Sequence, residues 1–188
     1  MTTPMAAHRL GTRLADAVLL DAHGSATALH ALIAGRRAVV VLYRGTWCPY
    51  CNRALRTYQH TLLPHLVERG AVLVAISPQK PDGSLTMQEK NDLAFPVLSD
   101  PGNSIGRAFG VLTQPSTEVL AWQRQQGLDL TETNADGTIE LPMPTVVVVD
   151  EAGRVRWIDI RPDYTTRTEP EAILDALDGM NLNHQGVS

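Results

Sequence analysis

Cysteine is nearly absent from this 188-residue chain: there are two, and both fall between Trp47 and Cys51. A secreted scaffold held by several disulfides is thereby excluded. Positive charge is not in excess either. The formal net charge is −4 and the pI about 5.8, which argues against nucleic acid or an anionic membrane as the main partner. No apolar segment approaches the length of a membrane span, and the opening residues, MTTPMAAHRL, hold no stretch suited to a signal peptide. A cytoplasmic location is the default expectation. Internal repeats, low-complexity tracts and a second-domain boundary are also missing. What remains is a chain with 44% hydrophobic and 19% charged residues, long enough for one domain with a sizeable core.

The chain is organised around Val39–Arg53, VVVLYRGTWCPYCNR. The run Arg37 to Tyr43 is short and β-branched, as suits a strand covered on both faces. Gly45 and Thr46 supply a turn. Pro49 stands where a first helical residue would, its fixed φ already helical and its missing N–H no loss there. Cys48 is then the N-cap and Cys51 the third helical residue. The first-turn N–H groups of Tyr50 and Cys51 and the helix dipole favour an anion at Cys48. Its thiol pKa is expected to be lowered, making Cys48 an accessible nucleophile. Cys51 follows on the same face, with its Cα roughly 5–6 Å away, inside the disulfide window. An attacking thiolate with an inner resolving thiol is the arrangement that thiol–disulfide exchange needs.

Other readings of the pair fare worse. A structural disulfide would close too short a loop to remove much chain entropy. His60 and His65 follow the cysteines in a finger-like string, but residues from Pro49 to Arg69 read as one helix with Leu55, Tyr58, Leu62, Leu66 and Val67 on one face. His60 would lie about 13 Å along the axis from Cys51, too far to share an ion. No metal or cofactor is expected, and redox chemistry is the favoured reading.

Around this centre the pattern gives a lead-in over 1–12 expected to be mobile, a hairpin about the turn Asp21–Gly24, and a short helix Leu29–Ala34 ended by Gly35. Ala71–Ile76 reads as a second buried strand, Ser84–Ala94 as a helix, and Pro96–Ser99 as a third strand followed by a helix through Phe109. These alternations imply βαβ units on a mostly parallel sheet. Val111–Leu141 is irregular, with Glu118–Gln126 helical and Asn134–Gly137 a turn; it reads as an elaborated crossover rather than a substrate-facing insertion. Thr145–Val149 and Val155–Ile160 form strands joined by Asp150–Arg154. A last helix opens with the capping box Thr168-x-x-Glu171 and buries Ile173, Leu174 and Leu177. The domain is expected over 13–180, with a flexible tail over 181–188.

A strand ending in Tyr43 and followed by Trp47-Cys-Pro-Tyr-Cys51 resembles the thioredoxin fold. More of the chain is similar to the peroxiredoxin-like branch of the alkyl hydroperoxide reductase/thiol-specific antioxidant (AhpC/TSA) family. The pieces that carry the likeness are LYRGTWCPYCNRALRTYQ, FPVLSDPGNSIGRAFGV, LPMPTVVVVDEAGRV and DYTTRTEP, in the family's order. The resemblance implies an α/β thioredoxin-like fold, a central mixed β-sheet flanked by helices with an N-terminal β-hairpin. It also implies a cis peptide bond at Pro144, facing the cysteines. Two departures stand out. Peroxiredoxins keep a threonine three residues before the peroxidatic cysteine, where this chain has Gly45; Thr46 lies only two before, and Arg44 takes the usual proline place. The arginine that relatives often keep after the insertion gives way to Pro144–Thr145. Arg44 and Thr46 are then the candidates to polarise a peroxide O–O bond. Trp47 and Tyr50 are candidate lid or packing residues. Leu42 stands where thioredoxins keep a buried acid.

By this resemblance the expected activity is a thiol-dependent peroxidase, Cys48 attacking and Cys51 resolving. Its substrate is a peroxide or disulfide, its donor a thiol such as thioredoxin or glutathione, and a homodimer is compatible with it. The alternatives are a thioredoxin- or glutaredoxin-like disulfide oxidoreductase without significant peroxidase activity, and a non-enzymatic redox sensor.

Overall fold

Valine repeats set the middle of the molecule. In β3 (Ala38–Leu42) and β8 (Thr145–Val149) every residue is buried, and alternate side chains serve opposite faces. Val39, Val41 and Tyr43 join Val146 and Val148 in one apolar cluster, while Ala38, Val40 and Leu42 join Val147 and Val149 in the other. Fully burying one such side chain contributes about 1.5–3 kcal/mol, so these two strands anchor both layers. The computed structural model describes residues 10–184; residues 1–9 and 185–188 lie outside it, and with them most of the lead-in expected over 1–12 and half of the tail expected over 181–188. Gly11 donates to the Val155 carbonyl, whose own N–H donates to Thr12.

The main sheet runs β2-β1-β5-β4-β3-β8-β9, with β1 Val18–Leu20, β2 Ala26–Ala28, β4 Val72–Ser77, β5 Val97–Ser99 and β9 Val155–Ile160. Only β3–β4 and β4–β5 are parallel. The pairings β1–β2, β1–β5, β3–β8 and β8–β9 are antiparallel, so the sheet is mixed and not mostly parallel. Two hairpins cause the difference. Their turns are closed by carboxylates: Asp21 accepts from the His23 and Ser25 amides, and Asp150 from those of Ala152 and Arg154. On one face lie α2 (Pro49–Thr57), α3 (Leu63–Glu68), α4 (Pro81–Asn91) and α8 (Pro170–His184); on the other lie α1 (Leu29–Ile33) and α5 (Ser104–Phe109).

The helix expected from Pro49 to Arg69 is interrupted. Tyr58–Leu62 forms a π turn in which the Leu63 amide donates to the Tyr58 carbonyl. Pro64 accounts for it: proline has no N–H to give, and its ring would strike the carbonyl four residues back. The wide turn moves that carbonyl aside. The helix expected at Ser84 begins three residues earlier, because Pro81 occupies its first turn. The capping box of α8 does not form. Thr168 lies ahead of the helix, and its hydroxyl donates to Asp159. Ile173 and Leu177 are buried as expected.

The segment after α5 is bounded by a two-stranded ribbon, β6 (Leu112–Thr113) with β7 (Leu141–Pro142), enclosing α6 (Thr117–Gln125) and α7 (Leu130–Thr133). It backs the loop after β4: Ala135 donates to the Pro78 carbonyl, and Lys80 donates to that of Thr133. The crossover reading fits this placement.

Candidate active site

The turn between β3 and α2 is held by side chains that the motif itself does not contain. Thr46 donates its amide to Gln79 Oε1 (2.6 Å) and its hydroxyl to the Gly83 carbonyl (2.7 Å). Its own carbonyl accepts from Asn52 Nδ2 at 2.6 Å, which also reaches the Cys48 carbonyl at 2.9 Å. Asn52 is locked in turn by Asn91, and Asn91 accepts from the Arg56 guanidinium. Gly45 is required by space. A Cβ there would collide with the Trp47 indole and meet the Gln79 side chain at 3.0 Å.

This scaffold delivers Cys48 to the N-cap of α2, with Pro49 opening the helix, and Cys51 one turn on. Both are free thiols. Cys48 ionises far more readily than an ordinary thiol, its pKa lowered to about 5. The main cause is the Cys51 thiol hydrogen-bonded to it; the Cys51 amide, Arg44 and Arg167 add to this, against the cost of burial. The first-turn amides make no full capping hydrogen bond to the sulfur, so the neighbouring thiol does more than the helix end. Burial pushes the Cys51 thiol well up, and the Cys48 charge beside it adds to the rise. One thiol is poised as an anion and the other as a proton donor.

The expected accessibility of Cys48 is corrected. It is 1% exposed and Cys51 not at all. Both belong to the apolar cluster beneath α2, with Trp47 packed against it, and a second loop folds over them. That loop, between β9 and α8, is pinned at both ends: Asp159 accepts from Arg161 (2.7 Å) and from Thr168 (2.8 Å), while the Tyr58 hydroxyl donates to the Thr168 carbonyl at 2.6 Å. Asp163 closes its tip by accepting from the Thr165 amide and hydroxyl. Arg167 is the loop's chemical contribution. One guanidinium nitrogen donates to the carbonyls of Tyr164 and Thr166, and the other lies 3.0 Å from Cys51 Sγ and 3.8 Å from Cys48 Sγ.

The residues named from the sequence fall into three groups. Arg44 is beside the site, its guanidinium 4.9 Å from the Trp47 ring and 4.5 Å from that of Tyr164. Tyr50 is 37% exposed at the rim, edge-on to Tyr164. Thr46 is corrected: its hydroxyl proton goes to Gly83 and is not aimed at a substrate. Pro144 is corrected too, since no peptide bond among the described residues is cis. A trans bond is the cheaper isomer, and it leaves both neighbouring carbonyls satisfied, Met143's by the Thr145 hydroxyl and Pro144's by the Arg161 amide. Pro144 still lines a narrow cavity with Cys51, Tyr58 and Arg167. Sequence reasoning missed Arg167, Tyr164, Asn52 and Gln79. The only signal for the first two was the segment DYTTRTEP, which carries no periodicity.

A redox-poised cysteine pair at a helix start, on a mixed sheet with this order, is the thioredoxin-like arrangement. Residues 10–158 match the AhpC/TSA family model, and the chain belongs to that family. A thiol-disulfide oxidoreductase, ResA, of Halalkalibacterium halodurans is 29% identical over 115 residues, covering 60% of this chain and 62% of that protein. A putative peroxiredoxin of Mycobacterium tuberculosis is 34% identical over 92 residues, covering 49% and 57%. The chain thus spans about half to three-fifths of the curated relatives it matches. Among solved structures, Mycobacterium tuberculosis peroxidoxin BcpB superposes with a TM-score of 0.70 at 20% identity, covering 93% of this chain and 97% of that one. Enterococcus faecalis AhpC gives 0.71 at 16%, covering 95% and 96%. At such identities these two likenesses speak for the fold.

Proposed function

We propose that the protein is a thiol-dependent peroxidase in which Cys48 attacks and Cys51 resolves. The observation that carries this reading is the acidified Cys48 held between a neutral Cys51 thiol and the cations Arg44 and Arg167. The Cys48 thiolate attacks the outer oxygen of a hydroperoxide; the O–O bond breaks, Cys48 becomes a sulfenic acid, and an alkoxide or hydroxide leaves with the electron pair and takes up a proton. Arg167 and Arg44 are the groups able to stabilise that leaving charge. Cys51 then condenses with the sulfenic acid, releasing water and forming a disulfide. Two equivalents of an external thiol return the dithiol, and a cytoplasmic setting, with its thiol pool, is part of the proposal.

A second reading, disulfide reduction without peroxidase turnover, is favoured by the match to ResA and by the loss of Thr46 as a donor. One equivalent of hydrogen peroxide, followed by mass spectrometry of both cysteines, separates the two. The expected result is a Cys48–Cys51 disulfide in the wild type and a sulfenic acid on Cys48 in Cys51→Ser. Oxidation no faster than that of free cysteine would overturn the peroxidase reading and leave the reductase one.

A further inference from the structure

Beside the buried sulfurs runs a groove of the size that takes a small molecule, on the order of 300–1,000 Å³, lined by Tyr50, Arg53, Thr57, Arg161, Thr166 and Arg167 among others. Ala54, Tyr58, Arg167 and Thr168 also line the narrow cavity around Cys51. These four residues therefore form the partition between groove and sulfur. A second groove continues past Arg53 to Arg56 and His60.

The charge along this surface is net positive in a protein of net charge −4. From Pro49 to Val67 there is no acidic residue, while Arg53 and Arg56 are basic. Among the described residues Arg56 is hydrogen-bonded to the neutral Asn91 and to no acid. Arg44 and Arg53 make no ion pair among the described residues. Arg161 is neutralised by Asp159, and Glu169 is the one acidic residue lining the groove. The surplus is positive, next to the site that an external thiol must reach.

From this we infer that the groove binds a low-molecular-weight thiol bearing carboxylates, with Arg53 and Arg167 as its anion contacts, and that this is the class of electron donor. The inference rests on the thiol-disulfide chemistry proposed above. A small donor is favoured over a protein surface because the sulfurs lie behind the β9–α8 loop, out of reach of a flat partner. The donor thiolate attacks one sulfur of the Cys48–Cys51 disulfide, giving a mixed disulfide and a released Cys thiolate. A second donor thiolate attacks the donor's own sulfur in the mixed disulfide, the Cys–donor S–S bond breaks with the electron pair going to the cysteine, the donor disulfide departs, and both cysteines take up protons from solvent. A carboxylate drawn to Arg167 competes with the sulfurs for its guanidinium and so loosens the partition.

The test uses the full-length disulfide form and compares its reduction by mercaptosuccinate and by 2-mercaptoethanol, with rates expressed per thiolate. The preference for mercaptosuccinate is expected to be tenfold or more at low salt, within the range of electrostatic steering. It is expected to fall about tenfold in Arg53→Glu and to shrink with added salt. Succinate, which has no thiol, is expected to slow mercaptosuccinate and not 2-mercaptoethanol. Equal rates for the two thiols, or a preference unchanged in Arg53→Glu, overturn the inference while leaving the redox chemistry standing. Failure of both thiols to reduce the disulfide would instead overturn the reading on which it rests.

Discussion

Two loops meet over the sulfurs, and they are built by opposite means. The β3–α2 turn is fixed from within: Thr46, Asn52, Gln79 and Gly83 bind one another through buried amides and hydroxyls, and Gly45 leaves no room for a side chain. The β9–α8 loop is anchored at its base by the buried Tyr58–Thr168 hydrogen bond and by Asp159, but its tip is closed by contacts near solvent, an aspartate–threonine turn and ring contacts of Tyr164 with Tyr50 and Arg44. Buried networks of this kind are costly to break, whereas exposed polar contacts contribute little each. Cys48 therefore sits on the turn with the denser hydrogen bonding, and its countercharge Arg167 comes from a loop whose tip is held by weaker, exposed contacts.

The first way to test that contrast is to remove the rigid loop's chemistry. Cys48→Ser is expected to lower donor-coupled turnover by at least about 10³-fold, the scale on which removing a nucleophile acts; a variant retaining a tenth of the activity would refute the assignment. Next is the loop's stiffness. Gly45→Ala forces a methyl group against Trp47 and Gln79 and is expected to cost about 1–3 kcal/mol in urea unfolding.

The third probe separates the sources of acidity. Cys48 is depressed to about 5, so its thiolate persists above that pH and is lost as pH falls through it. By linkage, the reduced protein gains stability as pH rises from about 5 toward the ordinary thiol range, and loses that contribution below 5. Cys51→Ala removes the leading cause and is expected to raise the alkylation midpoint of Cys48 by more than Arg167→Gln does. The latter is expected to shift it by about one unit or less, since an opposite charge at hydrogen-bond distance is a partial cause here. The reverse ranking would make the β9–α8 loop the main source of the thiolate. The smallest effect is expected from Tyr164→Ala: under about 1 kcal/mol in stability, as befits an exposed cation–π contact, with several-fold faster alkylation of Cys48.

The rigid loop was also the legible one. A β-branched run, a glycine turn and Pro49 after Cys48 each have a local physical meaning, so strand, turn and helix start could be placed without a structure. The same held for the hairpin about Asp21 and the strands of the valine repeats. The β9–α8 loop has no such code. Arg167 reaches the sulfurs because Asp159, Tyr58 and Thr168 fold its segment back, and those partners lie 8, 109 and 1 residues away in the chain. Spacing rules do not see tertiary hydrogen bonds. The same blindness hid the π turn, where the proline was visible but not how the helix would yield to it; the cis bond expected at Pro144 came instead from the family resemblance, which the trans bond here does not follow.

The depth of Cys48 has a consequence for how the reduced protein meets its surroundings. In most reactive thiols low pKa and solvent contact go together, yet here the sulfur most ready to ionise is nearly shut off from water. Bulk then sieves reagents before nucleophilicity does. A slim alkylating reagent is expected to reach Cys48 faster than a broad maleimide, so the burial that hides the sulfur would also shield the resting dithiol from bulky modifiers.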